Sequence, residues 1–227
     1  MPNLGFLHTA QVHVDTFETL ARDKALSTEH RVHTKWLQQA TSKRLDGPLR
    51  TEITRELKSL RRVCDVVICT CSTLGELARQ FEDTAVFRVD APMMEQAAAT
   101  AIKSGTETVT LLAYCLESTR AASTQLLEDA FRAQNQTPKI LQVNCETAWP
   151  HFEAGDNQRF GEEIAAHITA AAAGASKQVC SVVLAQASMT AAESYLGNDL
   201  RRKVLSSPAS AINHAQTLLN SGMQPDS

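Results

Sequence analysis

Cys71, Ser72 and Thr73 form the segment of this sequence best suited to chemistry. They follow the apolar run Val66-Val67-Ile68-Cys69-Thr70 and lead into a helical pattern ending near Phe81. A continuous β-branched run reads as a buried parallel strand, so the three residues stand where a strand ends and a helix begins. Backbone N–H groups at a helix N-terminus lack partners, and the helix dipole favours negative charge there. A cysteine at that point is biased towards thiolate. The amides and hydroxyls of Ser72 and Thr73 can hold a carboxylate. The same residues also fit a structural role, with Ser72 or Thr73 as a helix cap and Cys71 as a small buried side chain.

His8 is the second candidate, at the C-terminal end of the apolar run 4–9 that reads as the first strand. An imidazole near Cys71 would form a Cys–His pair and raise the thiolate fraction. The alternative is a hydrogen-bonded structural histidine. His13 is placed on a helix surface. Metal chemistry finds less support. Cys69 and Cys71 share a strand face near Cys64, but no second thiol pair at zinc-site spacing follows, and His30 and His33 are distant in sequence. No metal is expected, and a Cys69–Cys71 redox pair is equally weakly supported. Gly75 stands alone rather than in a Gly-rich phosphate loop, so a nucleotide cofactor is not expected.

The elements that must position these groups alternate between strand and helix. Strands are predicted at 4–9, 30–33, 66–70, 85–89, 109–113, 140–143, 179–185 and 203–205. Helical patterns include the stretch with Val12, Phe17 and Leu20, and the segment 48–62 with Leu49, Ile53, Leu57 and Leu60 at helical spacing. Further helices cover 73–81, the stretch opened by Pro92, the alanine-rich 168–175, and 208–219. Segments 34–47 and 144–156 read as loops that shape a substrate pocket. Trp36, Trp149 and Tyr114 either line that pocket or, more ordinarily, pack in the core.

Strands each followed by a helix imply a parallel α/β architecture. A closed eight-stranded barrel has the strand count, but such barrels typically need about 250 residues. Two four-stranded halves fit as well, and an internal repeat favours them. The segment 64–73 lies on 180–189 without a gap, matching the cysteine, both valines and the late serine, with Ile68 facing Leu184. Two copies of one strand–turn–helix, 116 residues apart, suggest a duplicated domain. The expected domains are 1–95 with 207–227, carrying Cys71, and 96–206, carrying Gln186 and Ser188. The ligand is expected in the cleft between the copies, where strand C-terminal ends face each other.

Composition bounds the function class. The chain has 227 residues, 22 Lys+Arg against 25 Asp+Glu, 43% hydrophobic and 5% aromatic residues. A net charge of −3 argues against binding nucleic acid through phosphate neutralisation. The apolar content is too high for a disordered chain. No apolar run approaches the roughly 18 residues of a membrane span, so no membrane partner is expected. The first residues, Met1-Pro2-Asn3-Leu4-Gly5, show no basic and apolar leader. The six cysteines are accordingly expected as free thiols in a reducing cytoplasm.

Five short motifs, in order, resemble the aspartate/glutamate/hydantoin racemase superfamily. Thr70-Cys71-Ser72-Thr73-Leu74-Gly75 resembles its first cysteine turn, and Val183-Leu184-Ala185-Gln186-Ala187-Ser188-Met189 its second-half turn in one branch. Arg88-Val89-Asp90-Ala91-Pro92-Met93 is similar to the segment crossing between the halves. Leu7-His8-Thr9-Ala10 and Leu116-Glu117-Ser118-Thr119 resemble the first-strand turn and its second-half counterpart. The resemblance covers almost the whole chain. It implies two pseudo-symmetric α/β domains, each with a mainly parallel four-stranded sheet flanked by helices. It also implies a small carboxylate or amino-acid-like substrate, no cofactor, and proton transfer at the α-carbon by two facing cysteines. It is compatible with a homodimer. Related members decarboxylate malonates or isomerise maleate.

On this resemblance Cys71 is the acid/base thiol and His8 a polar catalytic group. Thr9, Ser72, Thr73, Ser118, Thr119, Gln186 and Ser188 would bind the carboxylate and the developing enediolate. This sequence departs from the two-cysteine pattern. The gap-free repeat puts Ala187 opposite Cys71, and a one-residue shift puts Gln186 there. Neither exchanges a proton as a thiol does, so this is a single-cysteine variant. Racemisation with another second acid, one-thiol decarboxylation, isomerisation or elimination, and a metabolite-binding protein without turnover all remain open. A hydrolase with Cys71 as covalent nucleophile lacks a convincing acid.

Overall fold

The computed structural model describes residues 3–43, 47–105 and 107–222. The chain divides into two compact units, Met1–Ala91 with Pro208–Ser227, and Pro92–Ser207. The first unit runs β1 (Asn3–His8), α1 (Val12–Arg22), β2 (Ser27–Val32), α2 (Thr34–Lys43), α3 (Gly47–Arg61), β3 (Val66–Cys69), α4 (Ser72–Arg79) and β4 (Val86–Arg88). Its four strands are all parallel, in the order β2-β1-β3-β4.

Alternation along the strands explains why this sheet is buried on both faces. Leu7, Val67 and Cys69 point to one side and pack with Leu49, Ile53, Leu57 and Leu60 of α3 and Leu74 and Leu77 of α4. Leu4, Phe6, Val66 and Ile68 point to the other, against Phe17 and Ala21 of α1 and Ala211, Ile212 and Ala215 of the C-terminal helix. Each fully enclosed Leu, Ile or Phe contributes about 1.5–3 kcal/mol.

The second unit runs α5 (Ala91–Ser104), β5 (Thr108–Tyr114), α6 (Glu117–Ala133), β6 (Ile140–Asn144), a 3-10 turn (Glu146–Ala148), α7 (Trp149–Glu153) and α8 (Asn157–Gly174). It continues through β7 (Gln178–Leu184), a long 3-10 helix (Ala187–Tyr195), α9 (Asn198–Arg201) and β8 (Val204–Ser206). The helix α10 (Ser207–Gly222) then returns to the first unit. The order β6-β5-β7-β8 repeats that of the first sheet, again all parallel. Helix α8 starts at Asp156, whose carboxylate accepts the Arg159 N–H at 3.1 Å. Its Gly161 admits the backbone of the long 3-10 helix, because a Cβ there would lie 2.5 Å from the Ala191 carbonyl oxygen. The fold is therefore the expected pair of parallel four-stranded α/β units.

Two local expectations are corrected. Segment 34–47 is not a loop: α2 covers 34–43, with Trp36 and Ala40, one turn apart, both buried. Residues 44–46 of that segment lie outside the described residues. Segment 144–156 is largely helical, and Trp149 packs on Phe152 and Phe160 rather than standing free. Trp36 and Tyr114 are likewise core residues, each 8% exposed.

The gap-free repeat is also corrected, by one residue. Val109 pairs with Val179 but Thr110 pairs with Ser181, so Cys180 is an extra residue bulged out of β7. Beyond that bulge the ladders match. Leu7 pairs with Cys69 in one sheet, and Ala113 pairs with Leu184 in the other. The Thr70 N–H reaches the Leu7 carbonyl as the Ala185 N–H reaches that of Ala113. Cys71 therefore corresponds to Gln186, and Ser72 to Ala187.

Candidate functional site

Cys71 stands two residues beyond the end of β3, extended at φ −95° and ψ 115°, as the N-cap of α4. Its carbonyl accepts the Gly75 N–H at 2.8 Å, which starts the helix. Among the described residues no side-chain hydrogen bond caps the first turn, so the leading amides are left to solvent or to a ligand. Among the described residues neither the Cys71 thiol nor the Ser72 and Thr73 hydroxyls have a hydrogen-bond partner. Cys71 is 8% exposed, Ser72 is half-buried and Thr73 exposed.

The turn is braced from β4. Arg88 pairs with Cys69 along the ladder, and its side chain lies across the first turn of α4. The guanidinium makes a two-pronged ion pair with Asp90, at 2.6 and 2.8 Å, with both side chains buried. A Cβ on Gly75 would stand 2.8 Å from the Arg88 Cβ. Gly→Ala inside a helix normally gains about 0.5–1 kcal/mol. Here the clash wins, because the contact is to the stem of a pinned side chain. Gly75→Ala is expected to destabilise by about 1–3 kcal/mol, read as a lower Tm in thermal unfolding.

His8 is fully buried, and both ring nitrogens are taken. Nδ1 is 2.8 Å from Thr70 Oγ1, and Nε2 is 2.9 Å from His30 Nδ1. The structure thus gives His8 the hydrogen-bonded setting rather than a direct bond to Cys71, and links it to that turn through Thr70. His13, expected on a helix surface, is half-buried, and its ring lies 6.4 Å from that of His8. Burial, reinforced by His30 and His13, lowers the His8 pKa to about 3. The unfolded chain takes up this proton near the ordinary value of 6.5, whereas the folded chain waits until about 3. Stability is therefore lost as pH falls through that window, by about 1.4 kcal/mol per pH unit. His8→Asn is expected to flatten this slope in denaturant titrations at pH 7, 6, 5 and 4.

Thr9, at the exit of β1, is 8% exposed. In the second unit Gln186 is the extended N-cap of the long 3-10 helix. Its Oε1 accepts the Cys115 N–H at 2.8 Å, tying the β7 turn to the end of β5. Among the described residues its Nε2 has no partner and remains a free donor. Ala187 and Ser188 are half-buried in the first turn of the 3-10 helix. Ser118 and Thr119 lie inside the first turn of α6, whose N-cap is Leu116, so they sit in the helix and not in the turn before it. Thr119 is half-buried, and the side chain of Ser118 lies outside the described residues. The structure gathers Cys71, Ser72, Thr73, His8 and Thr9 at the C-terminal edge of one sheet. It gathers Gln186, Ala187, Ser188, Ser118 and Thr119 at that edge of the other.

Among the remaining thiols, burial pushes those of Cys115 and Cys145 up to about 12, and raises those of Cys69 and Cys64. All four are protonated at neutral pH. No group of three or more His, Cys, Asp or Glu among the described residues is arranged to hold a metal. No described helix is long and apolar enough to cross a membrane. Sequence reasoning missed Thr70, His30, Glu18 and the Arg88–Asp90 brace. The available signal was parity: Phe6 and His8 share a strand face, and Phe6 pairs with His30 in the adjacent strand.

No family model and no curated protein matches the sequence. Solved structures do. The aspartate racemase of Picrophilus torridus superposes with a TM-score of 0.61 at 14% identity, over 100% of this chain and 96% of that one. The allantoin racemase of Klebsiella pneumoniae gives 0.63 at 13%, over 100% and 91%. A glutamate racemase of Bacillus anthracis gives 0.59 at 14%, over 98% and 83%. The chain thus shares the two-domain fold of these racemases.

Proposed function

We propose, on the premise of that shared fold, that this protein is a racemase-like isomerase of small carboxylates or amino-acid-like molecules. Proton transfer at the α-carbon uses the Cys71 thiol and no cofactor. The observation that carries the reading is the place of Cys71: an unpartnered thiol at an uncapped helix N-terminus, at the C-terminal edge of a parallel sheet. The Ser72 and Thr73 amides and hydroxyls, with Thr9, hold the carboxylate. As the α-proton leaves for sulfur, the carboxylate becomes an enediolate. Preorganised N–H donors stabilise that charge more than they stabilise the ground state. Gln186, Ala187 and Ser188, with Ser118 and Thr119, supply the matching polar turns of the second unit, the Gln186 Nε2 as a donor.

The position corresponding to Cys71 carries the Gln186 carboxamide, which neither takes nor gives a proton as a thiol does. That favours a second reading, a one-thiol decarboxylase or lyase in which Cys71 protonates one face of the enediolate. Incubation with amino acids, hydantoins and arylmalonates separates the two. Loss of optical activity at constant concentration marks racemisation; carbon dioxide release or a new unsaturated product marks the second. A ligand bound tightly with no change of any kind would overturn both and mark a binding protein.

A further inference from the structure

We propose that Thr70, His8, His30 and Glu18 form a proton relay that takes up one proton from solvent water at the half-buried Thr70 and stores it on His30 against Glu18. The four side chains form an unbroken chain from the half-buried Thr70 through the buried His8 to the surface. Thr70 Oγ1 lies 2.8 Å from His8 Nδ1, His8 Nε2 lies 2.9 Å from His30 Nδ1, and His30 Nε2 lies 3.2 Å from Glu18 Oε2. The outer end is fixed by the Thr28 hydroxyl, which donates to the same Glu18 oxygen. From His8 outward exposure rises: the His8 ring is fully buried, the His30 side chain is 14% exposed and that of Glu18 49%.

Donor and acceptor counting gives this chain two states. In the first, Glu18 is a carboxylate and accepts from His30 Nε2–H. His30 Nδ1 then carries a lone pair and accepts from His8 Nε2–H. His8 Nδ1 in turn accepts from the Thr70 hydroxyl. In the second state Thr70 Oγ1 gains a proton and passes its own hydrogen to His8 Nδ1. His8 hands its Nε2 proton to His30 Nδ1, and His30 becomes an imidazolium paired with Glu18. One proton has entered, the Thr70–His8 and His8–His30 bonds have reversed, and His30 Nε2–H still donates to Glu18. His8 has changed tautomer without becoming charged, as its burial requires. Thr70 has an acceptor ready for the second state, since the Leu7 carbonyl lies 3.1 Å from Oγ1.

The other groups facing the chain are His13 and Arg22 from α1 and the rings of Phe6 and Phe17. Phe6 stacks on both imidazoles, 5.7 Å from His8 and 4.9 Å from His30, and keeps them in register.

The test is the tautomer of His8, read by long-range nitrogen–proton NMR of histidine-labelled protein across a pH series. The expected result is a change of His8 from the Nε2–H to the Nδ1–H form, neutral throughout, in step with protonation of His30. Glu18→Ala should move the midpoint down by about one pH unit, because the carboxylate that stabilises the imidazolium is gone. His30→Gln should remove the change. A single His8 tautomer across the range would overturn the relay, as would imidazolium at His8 or a midpoint indifferent to Glu18→Ala. Cys71→Ala should leave the tautomer change intact, so the catalytic reading and the relay fail separately.

Discussion

Cys71→Ala is expected to lower kcat by about 10²–10⁴-fold, the range of a positioned acid/base group, while the protein stays folded. The helix start does not depend on the thiol, because the first intrahelical bond of α4 runs from the Gly75 N–H to the Cys71 backbone carbonyl. The side chain makes no hydrogen bond to lose. Cys71→Ser keeps the size and should fail equally, since a hydroxyl does not ionise under these conditions as a thiol can. The measurement is steady-state kinetics on the substrate found by the carboxylate screen, with circular dichroism to confirm folding. A variant within threefold of wild type would remove Cys71 from the chemistry. Iodoacetamide offers a parallel route. Four of the six thiols are held protonated by burial, so labelling at neutral pH should fall on Cys71 and the half-buried Cys180. Only the Cys71 adduct should abolish turnover.

Asp90→Ala is expected to cost about 3–5 kcal/mol of stability, the penalty of leaving a buried charge alone. Arg88 would lose both short contacts, and its next carboxylate, Glu76, stands 3.8 Å away on an exposed side chain. The loss would reach the site as well. Arg88 lies against Gly75 in the helix that Cys71 caps, so activity should fall more than the folded fraction does. Replacing both partners together, Arg88→Met with Asp90→Leu, should recover much of the stability, since an apolar pair of similar volume avoids the desolvation cost. Urea unfolding of the single and double variants decides this. A double variant no more stable than Asp90→Ala would assign the cost to packing rather than charge.

Much of this architecture is legible in the residues. The β-branched runs marked the strands because a parallel sheet covered on both faces needs apolar side chains on both. The turn at Cys71 was legible because strand end and helix start meet within a few residues. Helix α2 was hidden because, among its described side chains, Trp36 and Ala40 alone are buried, too few anchors for a visible period. The repeat was misread by one residue because the bulge at Cys180 is a backbone event that its side chain does not announce. His30 reaches His8 by strand pairing across a gap of 22 residues, and Glu18 joins from α1 through His30, 12 residues away, so neither is a neighbour of His8 in sequence. The place of a residue at a strand end is thus readable locally, whereas its hydrogen-bond company is set by topology.

The central claim is that Cys71 moves the proton on the α-carbon. Its most direct test is exchange of that proton with solvent deuterium, followed by proton NMR in D₂O with the natural enantiomer of a turned-over carboxylate. Wild-type protein is expected to wash the α-proton out at a rate at least comparable to turnover, and Cys71→Ala not at all. Exchange that persists in Cys71→Ala would contradict the account, and so would turnover of the substrate with its α-proton retained.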